Sequence, residues 1–234
     1  MDKLKFVTSL IRKTATVQPA TYLNSRQVNN FATDIFTKHS KFITKAEAKE
    51  KCIQALKQEF PIEKAYVLDT ERNILLQEKC GTKTHCQIDV DGINLHGGIQ
   101  SLIHGHPRFL CEDGNYYAAP LSIDDYRVLN NSKLHEIIAT DEFGRECKMA
   151  KNKNYKSLSA KRMKHLEQEL FRTLFKTLPQ EIINKIKEKP DDINYAFSQV
   201  EKQQMTKAGM KALNDFWKTN AASLNLTYIS DFTY

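Results

Sequence analysis

Leu102-Ile-His-Gly-His-Pro107 reads as a strand that stops at a proline and carries two histidines two positions apart. Alternate residues of a strand share a face, so His104 and His106 can aim both imidazoles at one ion. Downstream, Pro120-Leu-Ser-Ile-Asp-Asp-Tyr-Arg-Val-Leu129 offers a carboxylate at the start of a helix. Ser122 suits the N-cap, and Asp124 and Asp125 fall in the first turn, at the positive end of the helix dipole. A first-turn carboxylate can cap the helix and also ligate a metal. Two imidazoles and one carboxylate make three protein ligands and leave a fourth position open, as in catalytic rather than structural zinc sites. Asp125 can serve as the third ligand in this way. Fifteen residues, 107–121, separate His106 from Ser122, so Asp124 and Asp113 stay open as alternatives.

Outward from this stretch, residues 63–149 have the pattern of a small mixed sheet. Residues 64–69 and 73–78 read as two strands around a turn, 82–90 as a third, and 99–106 as the histidine strand. Residues 107–121 read as a polar loop, 122–129 as a short helix, and 136–140 with 146–149 as a closing hairpin around Phe143-Gly144. No clear helix is expected between the third strand and the histidine strand, where residues 91–98 are short and glycine-rich. Seven of the eight glycines lie between positions 81 and 144. Helices are expected on both sides. Residues 1–62 read as a helical segment packing on the core. Its run 44–60 opens with the capping-box pattern Thr44-Lys-Ala-Glu47 and presents Ala48, Cys52, Ala55 and Leu56 on one face. Residues 150–234 read as a basic helical extension, with a helix through Leu158–Leu178, a second to Pro190, a third region over 194–224 interrupted by Gly209, and a terminal strand at 226–229.

The net charge of +7 is unevenly spread. Residues 1–62 hold 11 Lys/Arg against 5 Asp/Glu and residues 151–234 hold 15 against 9, so each flank is +6. Residues 63–150 hold 9 against 14, which is −5. Dispersed lysines of this kind suit solvated helix faces; they also leave nucleic acid open as a partner of the basic flanks. The acidic centre favours a basic or lysine-linked substrate. Five cysteines without a CxxC pair argue against a disulfide framework and a zinc ribbon, and a reducing, cytoplasmic setting is expected. No apolar run reaches the ~18–20 residues of a membrane helix. A cysteine hydrolase built on Cys111 or Cys86 is a competing reading that no local motif supports.

The order His104-Gly-His106-Pro107, a loop, then Ser122-Ile-Asp-Asp125 resembles the JAB/MPN (JAMM) zinc metallopeptidases, closest to the RadC-like domains of bacteria and phage. Leu134-His-Glu-Ile-Ile-Ala-Thr-Asp-Glu-Phe-Gly-Arg-Glu-Cys-Lys-Met149 resembles the strand pair that follows the family motif. The similarity covers about residues 45–150. It implies an α+β fold with a small curved mixed sheet, a cytidine-deaminase-like layout, flanked by N- and C-terminal helices. It also implies Zn2+ held by His104, His106 and Asp125, with Ser122 stabilising the tetrahedral intermediate. A glutamate at the start of the first core strand then takes a proton from water. Glu63 stands there, with Glu78 and Glu71 as rivals. The implied activity is hydrolysis of a peptide or isopeptide bond in a protein or peptide substrate. Catalytically silent JAB-like modules, acting in nucleic-acid binding or assembly, are the alternative.

Overall fold

The computed structural model describes residues 41–82, 85–189, 192, 195 and 206–234. Helix α1 (Lys45–Leu56) starts where the capping box requires. The Thr44 hydroxyl accepts from the Glu47 N–H at 3.2 Å, and the Glu47 carboxylate accepts from the Thr44 N–H at 2.7 Å. The helix ends at Leu56, short of Phe60, whose ring is exposed. Two strands follow, β1 (Lys64–Asp69) and β2 (Ile74–Cys80), then a one-turn helix α2 (Val90–Asn94) and β3 (Gln100–Gly105). A small hairpin, β4 (Arg108–Leu110) and β5 (Tyr116–Ala118), leads to α3 (Ile123–Asn131). Strands β6 (Leu134–Thr140) and β7 (Glu146–Lys151) come next, followed by helices α4 (Ala160–Phe175), α5 (Gln180–Glu188) and α6 (Lys207–Asn220), and β8 (Leu226–Ser230) closes the order.

Six strands form one mixed sheet in the order β2-β1-β3-β6-β7-β8. Every pairing is antiparallel except β3 with β6. The protein is therefore α+β, as its strand and helix periodicities imply. Both sheet faces are covered. On one, α1 seats Ala48 and Cys52 against Tyr66, Leu68, Ile103 and Ile138. On the other, Val67, Leu102, Ile137 and Met149 meet Tyr126 and Leu129 of α3, Leu166 and Leu170 of α4, and Leu213, Phe216 and Trp217 of α6. Burial on both faces explains why β6 reads as the unbroken apolar run Ile137-Ile-Ala139 rather than as an alternation. Strand β8 pairs with β7 along its length, so residues beyond 150 contribute a strand to the sheet and helices to the same core.

Four local expectations are corrected. The described residues of the 82–90 stretch, 82 and 85–90, form no strand: the Thr82 N–H donates to the His85 carbonyl at 2.8 Å and Asp89 caps α2 through the Gly92 N–H. The short α2 occupies part of the glycine-rich stretch where no clear helix is expected; one turn after a capping carboxylate carries too little periodicity to signal a helix. The 107–121 loop contains the β4–β5 hairpin, turned at Gly114 with φ 78°. Gly209 does not interrupt α6; it lies in the first turn, where its N–H donates to the Thr206 cap. The helical expectations for residues 1–40 and 196–205 fall outside the described residues.

A buried carboxylate ties both sides of the sheet to α1. Glu136 of β6 is 2% exposed and accepts from Ser101 of β3 at 2.7 Å, from Lys45 of α1 and from Lys148 of β7. Burial pushes its carboxyl up, but the lysine and serine bonds outweigh that and hold it down to about 2. A depressed folded-state carboxyl contributes stability that is fully present above its unfolded value of about 4.3 and is lost as pH falls toward 2. Glu136→Gln is expected to cost ~2–3 kcal/mol at neutral pH, less than a fully buried pair because both lysines stay partly hydrated. Urea titrations at pH 7, 5 and 3 check this. The wild-type advantage over the variant must shrink at pH 3.

Candidate metal centre

Strand β3 lies between β1 and β6, and His104 is flanked in register by Ala65 on one side and Ala139 on the other. Two methyl side chains leave room for an imidazole on the crowded inner face. Gly105 turns the other way: a Cβ there would stand 3.2 Å from Leu56, so glycine lets α1 pack directly on the strand. Past the strand end, the His106 N–H donates to the Thr140 carbonyl at 2.8 Å, which extends the parallel ladder and returns the second imidazole to the face of the first. The two rings stack with centroids 4.6 Å apart.

Helix α3 brings the carboxylate. Ser122 is its N-cap, and the capping box is complete. The Ser122 N–H and hydroxyl both donate to Asp125 Oδ2, at 2.7 and 2.8 Å, while the Asp125 N–H donates to Ser122 Oγ at 3.1 Å. The cap uses one carboxylate oxygen only. Oδ1 faces His104 Nε2 at 3.6 Å, beyond hydrogen-bond length. Two ligands sharing one tetrahedral zinc at about 2.0–2.1 Å each stand roughly 3.3 Å apart. Among the described residues, His104, His106 and Asp125 form the group whose ligand atoms all lie within 4.8 Å of one another.

The donor set fits a cation. His104 Nε2 is buried and has no hydrogen-bond partner, a costly state for a ring nitrogen unless something else occupies its lone pair. Burial holds His104 down to about 4, against the opposing pull of Asp125, so its imidazole is neutral at neutral pH. The His106 Nδ1–H donates to the Ala119 carbonyl at 2.7 Å. A carbonyl only accepts, so this bond fixes the tautomer and leaves Nε2 as the lone-pair nitrogen. Burial raises Asp125, yet His104, His106 and the Ser122 donors prevail and its carboxyl lies below the ordinary range. Neutral imidazoles and an ionised carboxylate are the forms that bind a metal.

Glu63 joins this group from β1. Its N–H donates to Thr82 and its carbonyl accepts from Gly81, each at 2.9 Å, so the ladder runs one step beyond the strand. It stands two residues before Ala65, on the His104 face, and continuing the β1–β3 register sets it opposite His106. Burial pushes its carboxyl up to about 7, with His106 opposing and Asp125 adding to the rise. The rivals lie elsewhere. Glu78 pairs with Tyr66, on the α1 face, and accepts from the Tyr66 hydroxyl at 3.3 Å. Glu71 sits in the turn after Asp69, at the far end of β1. Asp124 points to solvent and pairs with Arg127, and Asp113 is held by Tyr117 and Lys207 in the β4–β5 turn. Ser122 sits beside the ligands with its hydroxyl proton on Asp125; donation to a developing oxyanion requires that bond to be released. Burial pushes the Cys86 thiol up to about 11 and raises Cys111 as well, which disfavours either as a nucleophile. The Ala119 carbonyl had no signal in the sequence, since any residue supplies the same group.

No protein-family model, curated protein or solved structure matches the chain. The His104, His106 and Asp125 set is expected to bind one zinc per chain. Either His→Ala change leaves an incomplete shell and should abolish stoichiometric binding, while Asp125→Ala weakens it. Elemental analysis of purified protein, with far-UV circular dichroism to establish folding, gives the readout. Undiminished zinc in the double-histidine variant would move the site elsewhere.

Proposed function

We propose that this chain is a zinc-dependent hydrolase of the JAB/MPN type, cleaving a peptide or isopeptide bond in a protein or peptide substrate. The observation that carries the proposal is the convergence on one sheet face of an orphaned His104 Nε2, a tautomer-fixed His106, a half-committed Asp125 and a half-buried Glu63. When bound, zinc supplies Lewis acidity that polarises a carbonyl and lowers the pKa of water toward neutrality.

The protein's own groups divide the remaining work. His104, His106 and Asp125 would hold the metal. Glu63 does not belong to that set and is free to accept a proton from the attacking water and return it to the leaving amine. Its half-buried position beside His106 and Asp125 suits a group that takes a proton from water and hands it on. The Ser122 hydroxyl keeps Asp125 in place and, once released from it, stands where it can donate to the oxyanion. The β4–β5 hairpin borders the site directly after His106. Arg108 bonds the Tyr116 carbonyl and lies 4.9 Å over the exposed Phe143 ring, a combination of apolar surface and charge suited to a polypeptide.

Glu63→Gln preserves size and removes the proton acceptor. Zinc content and fold should survive while hydrolysis falls by roughly 10²–10⁴-fold, the usual contribution of a general base. Glu78→Gln, on the opposite face, should leave the rate nearly unchanged. Linear and lysine-linked peptide substrates, assayed with both variants, distinguish the outcomes. Full activity in Glu63→Gln under conditions where the wild type turns over would refute the mechanism.

A further inference from the structure

Residues 118–122 form a strap between β5 and α3 that touches two of the three candidate ligands. Its backbone groups connect alternately to the site and to the segment 206–234. The Ala118 carbonyl accepts from the Tyr234 hydroxyl at 3.0 Å. The Ala119 carbonyl accepts from His106 Nδ1 at 2.7 Å. The Leu121 carbonyl accepts from the Trp217 indole N–H at 2.7 Å. The Ser122 N–H donates to Asp125 Oδ2 at 2.7 Å. Ala118 is paired with Arg108 in the β4–β5 ladder, residues 119–122 belong to no ladder, and Pro120 brings no N–H of its own. Buried Ala118 and Leu121 pack it into the core and the Leu121 backbone also bonds Cys147 of β7, while the Trp217 and Tyr234 bonds fix two of its carbonyls from segment 206–234.

Trp217 also touches α3. Its ring, fully buried, lies 5.4 Å from that of Tyr126, the residue after Asp125. One side chain thus contacts the residue before the Ser122 cap and the residue after the ligand. Trp217 comes from α6, whose Lys207 also pairs with Asp113 in the β4–β5 turn at 2.8 Å. The hairpin before the strap and the helix after it are both referred to the same outside element.

The geometry points to Trp217 and Tyr234 as positioning residues of the metal centre, acting through the Ala118–Ser122 strap on His106 and Asp125. The inference rests on the metal reading above. Groups that orient ligands from behind typically change metal affinity by about 10–100-fold when removed. Coupling is reciprocal, so a metal that is bound better when Trp217 is docked must also hold Trp217 in place. Trp217 is the single tryptophan of the chain, and its fluorescence reports that docking without interference.

The test uses the full chain with zinc, measured by competition with a chromophoric chelator, and with cobalt, whose visible absorption reports ligand geometry. Trp217→Phe keeps an aromatic ring and removes the N–H; Tyr234→Phe removes only the hydroxyl. Each folded variant should bind zinc about tenfold or more weakly and shift the cobalt bands. In the wild type, zinc should move the urea midpoint of the tryptophan signal upward. Leu170→Ala, an apolar core change on α4, should lower stability and leave the cobalt spectrum unchanged. Wild-type affinity and spectrum in both folded variants would overturn the inference while leaving the metal reading intact. So would an equal loss of affinity in Leu170→Ala. If Trp217→Phe does not fold, Tyr234→Phe decides alone. A wild type that binds no zinc removes the metal reading and this inference with it.

Discussion

The parallel pairing of β3 with β6 is the constraint from which the candidate site follows. Parallel neighbours cannot be joined by a tight turn, so the chain must leave the sheet after Gly105 and return at Leu134 by a crossover. The crossover carries His106, the β4–β5 hairpin, the 118–122 strap and α3 with Asp125. Its first part, from His106 to the start of α3 at Asp125, lies by the carboxyl end of β3, where His104 sits, and α3 then carries the chain back to the amino end of β6. Open α/β sheets tend to place their ligand sites at this edge, because the strand ends there and the connection supplies loops and a helix start.

The same helix start serves two purposes. A capping box needs one carboxylate oxygen, and Asp125 has two. Oδ2 satisfies the first amides of α3, while Oδ1 faces His104. Ion-binding geometry is thereby obtained from a structure that stabilises the helix in any case, by ~1 kcal/mol for a good cap. The local cost is concentrated at His104, whose Nε2 is buried without a hydrogen bond. That atom lies where the side chains of His104, His106 and Asp125 converge within 4.8 Å of one another.

Electrostatics divides the sheet by face. On the α1 side, Glu136 is ionised because Lys45 and Lys148 reach it. On the opposite side, Glu63 is half-buried, no lysine among the described residues pairs with it, and burial raises its carboxyl to about 7. The two carboxylates differ by environment rather than by chemistry. One holds the layers together; the other is suited to exchanging a proton.

The two-residue spacing of His104 and His106, the Ser122 cap with Asp125 three residues on, and the Thr44 capping box were legible in the sequence because each is a local rule of geometry. So were the α+β class and the strands at 64–69, 136–140 and 146–149, whose patterns span several residues of one period. What lay beyond local rules required the tertiary structure. Residues 82–90 look like a strand by composition, but a strand needs a partner edge, and there the Thr82 N–H bonds the His85 carbonyl instead. Glu63 and Glu78 are equivalent as letters; only the pairing of Tyr66 with Glu78 and of Ala65 with His104 assigns them to opposite faces. The Ala119 and Leu121 carbonyls belong to every sequence, and their use by His106 and Trp217 arises from contacts 13 and 96 residues apart. Period and capping are written in neighbouring residues, whereas register and long-range hydrogen bonds exist only once the chain has closed on itself.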